Sequence, residues 1–178
     1  MKQLEKLNFK EETLVAFFLG GKVEGINIEA HDVRFLIGRK PNDFLDQIKK
    51  SWIGTPDSLH VDSWLPLRFV NNFKIQITKE YIQNEQKLYF INLGFYKRHQ
   101  FGENHSMKFI VAKSKQEAKQ KAISLVENEI DLLHLDNQYD IDDCIQIESN
   151  NDFSINIIPH SDYIKEKSEN GWMKVIKD

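Results

Sequence analysis

The sequence predicts an α+β fold: two pseudo-symmetric strand-strand-helix-strand-strand repeats, mainly antiparallel sheet with one main helix per repeat. Three observations predict it. Short motifs recur at a fixed spacing of 74 (93 − 19, 103 − 29, 133 − 59): Leu19-Gly20 and Leu93-Gly94, Glu29-x-His31 and Glu103-x-His105, Leu59-His60-Val61-Asp62 and Leu133-His134-Leu135-Asp136. Aligning 14–62 with 88–136 without a gap makes 10 of 49 positions identical, against about 3 expected from average residue usage. Each copy also runs through the same order of hydrophobic periodicities. A strand-strand-helix-strand-strand unit cannot cover both faces of its own sheet, so two of them pack about a pseudo-twofold axis.

The first strand is the apolar run Leu14 to Leu19, stopped by Gly20-Gly21; its copy is Leu88 to Leu93, stopped by Gly94. A loop of about ten residues follows, long for a hairpin. The second strand is His31 to Ile37, with His31, Val33, Phe35 and Ile37 on one face; the copy puts His105, Met107, Phe109 and Val111 there. Pro41 opens a helix whose buried side is Phe44, Leu45, Ile48 and Trp52, and Gly54 ends it. In the copy, Ser114 is the N-cap and Glu117 completes a capping box. The third strand is Leu59 to Ser63, matched by Leu133 to Asn137. The fourth is Phe73 to Thr78, matched at a spacing of 70 by Asp143 to Glu148. The repeats span 14–82 and 88–148, joined by the polar linker Gln83 to Lys87. A C-terminal extension, 149–178, carries a strand over Phe153 to Ile158 and a polar end that is a terminal helix or frayed. The whole reads as one compact unit.

Composition removes several function classes. A net charge of −3 argues against a broad nucleic-acid footprint. A single cysteine, Cys144, excludes an internal disulfide and a cysteine-based zinc site, and beside Ile145 it reads as buried. No apolar run approaches the roughly 20 residues of a membrane span, and the N-terminus lacks a signal-peptide core. The expectation is a soluble, cytoplasmic protein that engages a small molecule or a protein, with homo-oligomers possible and no membrane partner.

The stretches Leu19-Gly20-Gly21, Gly25 to Phe35, Trp52 to Pro56 and Leu59 to Trp64 resemble the bacterial family called domain of unknown function 1543, and the chain resembles a two-copy member. The likeness is fuller over 14–64 than over 88–136, where Phe95, Phe101 and Gln138 replace Gly21, Asn27 and Trp64. The resemblance implies no activity.

The chemistry-bearing residues follow from the repeat. Glu29, His31, His60 and Asp62, with Glu103, His105, His134 and Asp136, place carboxylates and imidazoles at two-residue spacing, where strand side chains share a face. They are the ligand-binding candidates. Carboxylate and imidazole also hold divalent zinc, iron or manganese, with His31, His60 and Asp62 as metal candidates. Gly20, Gly21, Gly25 and Asn27 form a second candidate, a glycine loop whose amides approach an anion. The sequence therefore reads as a two-repeat binding module with a His/Glu/Asp-lined groove. One alternative is a metal-assisted or general acid–base enzyme using Glu29, His31, His60 and Asp62. A second is a protein-interaction scaffold with an exposed apolar patch at Trp52, Trp64 and Phe69.

Overall fold

The computed structural model describes residues 4–97, 99–129, 140–150, 152–162 and 164–175. Among them run ten strands and two α-helices: β1 (Thr13–Gly21), β2 (Ala30–Gly38), α1 (Pro41–Ser51), β3 (His60–Pro66), β4 (Phe69–Val70), β5 (Phe73–Thr78), β6 (Lys87–Phe95), β7 (Asn104–Ala112), α2 (Lys115–Glu129), β8 (Asp140–Ile147), β9 (Ser154–Pro159) and β10 (Glu169–Lys174). They form three antiparallel sheets, ordered β10-β3-β1-β2, β4-β5-β9 and β7-β6-β8.

This overturns the expected α+β class. Among the described residues, antiparallel strands in three sheets predominate and the two α-helices are short. The reason lies in which faces need covering. Alternate residues of β1 point to opposite sides. Leu14 and Ala16 pack with Leu88, Phe90 and Val111 of the β6–β7 sheet, whereas Val15, Phe17 and Leu19 pack with Phe44 and Ile48 of α1. Likewise Tyr89, Ile91 and Leu93 of β6 pack with Ala118 and Ala122 of α2. The two larger sheets thus cover each other's inner faces, and each helix covers only an outer face. Ile75, Ile155 and Ile157 of the small β4-β5-β9 sheet extend the inner core.

The fourth strand of the expected unit does not stay with its own sheet. β5 pairs with β9 from the C-terminal extension, Ile75 opposite Ile157. The polar end is not a helix, because Glu169–Lys174 adds β10 to the edge of β3. β8 is the third strand of the β7-β6-β8 sheet and has no counterpart role to β5, so the likeness of Ile75-Gln76-Ile77 to Ile145-Gln146-Ile147 does not mark one shared place. The run 133–137 lies outside the described residues.

Local signals held where they were local. Pro41 is the first residue of α1. At the start of α2 the Glu117 amide donates to Ser114 Oγ (3.2 Å), and the Lys113 amide donates to Glu117 Oε2 (2.9 Å). At α1 the Arg39 and Lys40 amides both donate to Asp43 Oδ2 at 2.9 Å, and these two bonds hold the Asp43 carboxyl below its ordinary value. The group is exposed, so screening trims its worth. Asp43→Ala is expected to cost about 0.5–1 kcal/mol, a capping-scale loss, or roughly 1–4 °C in melting temperature. A folded-state value that is depressed contributes stability above the unfolded aspartate pKa and loses it as pH falls through the folded one. The gap between variant and wild type should therefore close on acidification, which calorimetry at several pH values would read.

Candidate metal centre

The site begins at a glycine. Gly20 of β1 lies opposite His31 of β2 on one side and His60 of β3 on the other. Residues paired across a sheet point to the same face, so His31, Gly20 and His60 form one row with no side chain in its middle. The row continues the Leu14–Ala16 side of β1, the side turned toward the other sheet. Two carboxylates enter the gap. Glu29 comes from the last turn of the β1–β2 loop. Asp62 is the extra residue of a β-bulge in β3, because Phe18 pairs with Ser63 and Leu19 with Val61; bulges re-aim a side chain in this way.

The result is a closed ring of alternating imidazole and carboxylate. His60 Nε2 lies 3.3 Å from Asp62 Oδ1 and 3.4 Å from Glu29 Oε1. His31 Nε2 lies 3.5 Å from Asp62 Oδ2 and 3.8 Å from Glu29 Oε2. His60 is buried, while His31, Glu29 and Asp62 are partly open to solvent. Asp62 Oδ2 is buried and accepts no hydrogen bond. His31 stacks on Phe18, ring centres 5.3 Å apart and 6° from parallel, and Trp172 of β10 leans on His60 at 5.4 Å.

His60 Nδ1 lies 2.9 Å from the Ser58 carbonyl. A carbonyl only accepts, so Nδ1 carries the proton. In the neutral imidazole Nε2 is then a lone pair, and it faces two carboxylate oxygens. A proton on Nε2 reaches one of those oxygens.

The second sheet builds a related cluster at the same end. β6 pairs with β7 in the β1–β2 register moved by 74 positions, Gly94 opposite His105. Its third strand, however, is moved by 80. Gly94 lies opposite Asp140, and Asp142 is the bulged residue between Ile141 and Asp143. Asp142 Oδ2 is 3.2 Å from His105 Nδ1, and Glu103 Oε2 is 3.9 Å from His105 Nε2. Asn92, at the place Phe18 holds in the first sheet, donates from Nδ2 to Asp142 Oδ2 (3.4 Å) and meets His105 Nδ1 at 3.3 Å. The Glu103 carboxylate, then partial burial, and least the charge of Asp142, push the Tyr96 phenol above its ordinary value.

The sequence-predicted residues thus fall into three groups. Glu29, His31, His60 and Asp62 come together, as do Glu103 and His105. His134 and Asp136 lie outside the described residues, and in the second sheet the bulged residue beside His105 is Asp142. The glycine loop divides. Gly20 and Gly21 belong to β1, where a Cβ on Gly21 would stand 2.6 Å from the Trp52 ring; Gly25, at φ 84°, is a turn glycine in open space, and Asn27 is exposed in the same loop. The expected apolar patch is not exposed: Trp64 is 2% accessible in the outer core, and Trp52 and Phe69 are half-buried. Cys144 is buried, which pushes its thiol up. Sequence reasoning missed Asp142, Asn92, Tyr96 and Trp172. For Asp142 a signal existed: His60-Val61-Asp62-Ser63 and Asp140-Ile141-Asp142-Asp143 share an apolar-aspartate step at spacing 80.

A cleft of about 280 Å³ between the sheets is lined by His31, Asp32, Asn92 and Asp143 together with Phe18 and Met107. A larger hollow of about 530 Å³, between Phe73 and α2, contains neither histidine nor carboxylate in its lining. No helix among the described residues is long and apolar enough to cross a membrane.

Among curated proteins none matches this chain. The crystal structure of protein Il1583 from Idiomarina loihiensis is similar to it with a TM-score of 0.73 and 27% identity, covering 94% of this chain and 100% of that one. Residues 26–77, the segment that supplies Glu29, His31, His60 and Asp62, match the model of the family Domain of Unknown Function (DUF1543), which supports the resemblance read from the sequence.

Proposed function

We propose that this chain is a metal-dependent binding module, with a divalent transition metal held by Glu29, His31, His60 and Asp62 at the mouth of the cleft between its sheets. The observation that carries the reading is the His60 ring: its Nδ1 is committed to the Ser58 carbonyl while its Nε2 meets Asp62 and Glu29 at 3.3 and 3.4 Å. Each of these separations by itself is that of two ligands on one cation; the four side chains would close in around the ion, since no three of them yet bring one donor atom apiece within 4.8 Å of one another. A metal with bonds of about 2.1 Å in tetrahedral coordination sets its ligand atoms roughly 3.4 Å apart. The Ser58 carbonyl fixes the His60 tautomer, the usual supporting contact behind a metal-bound imidazole. Two imidazoles favour zinc, iron, nickel or copper over calcium or magnesium. The solvent-open side at His31 leaves room for an incoming donor from the cleft, which His31 also lines.

The test is calorimetric titration of chelator-treated protein with ZnCl2. One equivalent should bind. His31→Ala and His60→Ala should each weaken binding by more than the roughly 10–100-fold that loss of a supporting contact costs. Binding should weaken on acidification, because the imidazoles must shed their protons to ligate. No zinc uptake, or uptake unchanged in both variants, would overturn the reading.

A further inference from the structure

The geometry points to a second metal site, at Glu103, His105 and Asp142, that prefers a harder cation such as Mn2+ to the zinc of the first. It extends the reading of the first cluster but stands on different residues. One donor atom from each of the three side chains lies within 4.8 Å of the other two. Gly94 makes that approach possible: a Cβ there would sit 2.6 Å from Glu103 Oε1 and 2.8 Å from Asp142 Oδ2. The two carboxylates meet over one glycine with His105 between them, a two-acid, one-imidazole set that offers a cation one donor from each side chain. Asp142 is aimed inward by a bulge, and the Asn92 amide supports it and His105 from behind.

The preference follows from the donors. The first cluster offers two imidazoles and two carboxylates, whereas the second offers one imidazole and two carboxylates. Carboxylate and water suit Mg2+, Ca2+ and Mn2+, and imidazole suits zinc, copper and nickel. All three side chains of the second cluster are exposed, so a bound ion keeps several waters, as hard cations do. The chain thus carries two clusters at corresponding strand positions of its two sheets, with different metal preferences.

The experiment titrates chelator-treated full-length protein with MnCl2 and follows free Mn2+ by its electron paramagnetic resonance signal. Wild type should take up Mn2+. Asp142→Asn should weaken that uptake at least about 10-fold, the lower bound set by loss of supporting groups, and His60→Ala should leave it unchanged. Glu103→Gln, at an exposed side chain, repeats the test should the aspartate variant melt early. No Mn2+ uptake by wild type, wild-type uptake by both carboxylate variants, or loss in His60→Ala instead would overturn the assignment. The two readings fail separately. Zinc uptake that depends on His60 without any Mn2+ uptake sinks only the second site, and Mn2+ uptake that depends on Asp142 without zinc uptake sinks only the first.

Discussion

Gly20→Ala should abolish zinc uptake and lower the melting temperature together. An added Cβ would stand 2.5 Å from His60 Nε2 and 2.9 Å from Asp62 Oδ2, closer than non-bonded atoms approach. The His60 ring cannot swing away freely, because it is buried, bonded to the Ser58 carbonyl and covered by Trp172. Forcing an extra methyl into such a place costs about 1–3 kcal/mol, which is roughly 2–12 °C for a chain of this size. The methyl would also fill the gap on which the four ligands converge, so zinc affinity should fall at least as far as in His60→Ala. Gly25→Ala is the control. It lies in open space but at φ 84°, so it carries backbone strain of about 1–2 kcal/mol with zinc binding intact. Calorimetry of both variants reads both quantities. A Gly20→Ala protein that binds zinc like the wild type would refute the cradle argument, whatever its stability.

Trp64→Ala should be the most destabilising single substitution among those considered. Trp64 lies on β3, 2% accessible, in the outer core with Phe17, Phe44 and Ile48. Removing a buried indole leaves a cavity and costs about 3–5 kcal/mol, a large part of the 5–15 kcal/mol typical of a whole domain. The melting temperature should drop by roughly 6–20 °C. Ile53, 80% accessible, should tolerate the same truncation within about 0.5 kcal/mol. Denaturant unfolding of the two variants measures the contrast. Equal, small effects would mean that Trp64 is a surface anchor, as the interaction-scaffold alternative requires. The contrast also bears on zinc, because β3 carries both His60 and Asp62 and a loosened strand loosens the ring.

The sequence by itself determined the elements whose signals are local. The apolar runs of β1 and β6, the His31-to-Ile37 alternation, Pro41 at the head of α1 and Ser114 with Glu117 at the head of α2 all sit within a turn or a strand of the residues that fix them. The Glu-x-His pairs were legible for the same reason, whereas Gly20 and Gly94, read as strand stops, lie inside β1 and β6 opposite the histidines. Only the tertiary structure decided the rest. Which strand lies third beside β6 depends on pairing across a gap of some fifty residues, and the repeat drew attention to Leu133 to Asp136, which lie outside the described residues, and away from Asp142. The bulges at Asp62 and Asp142 cannot be read from alternation, because a bulge is an extra residue measured against a partner strand. The departure of β5 to β9, the addition of β10, and the burial of Trp64 against α1 are likewise choices among distant partners. Side-chain period sets which face a strand presents; the face that another element leaves uncovered sets what it meets.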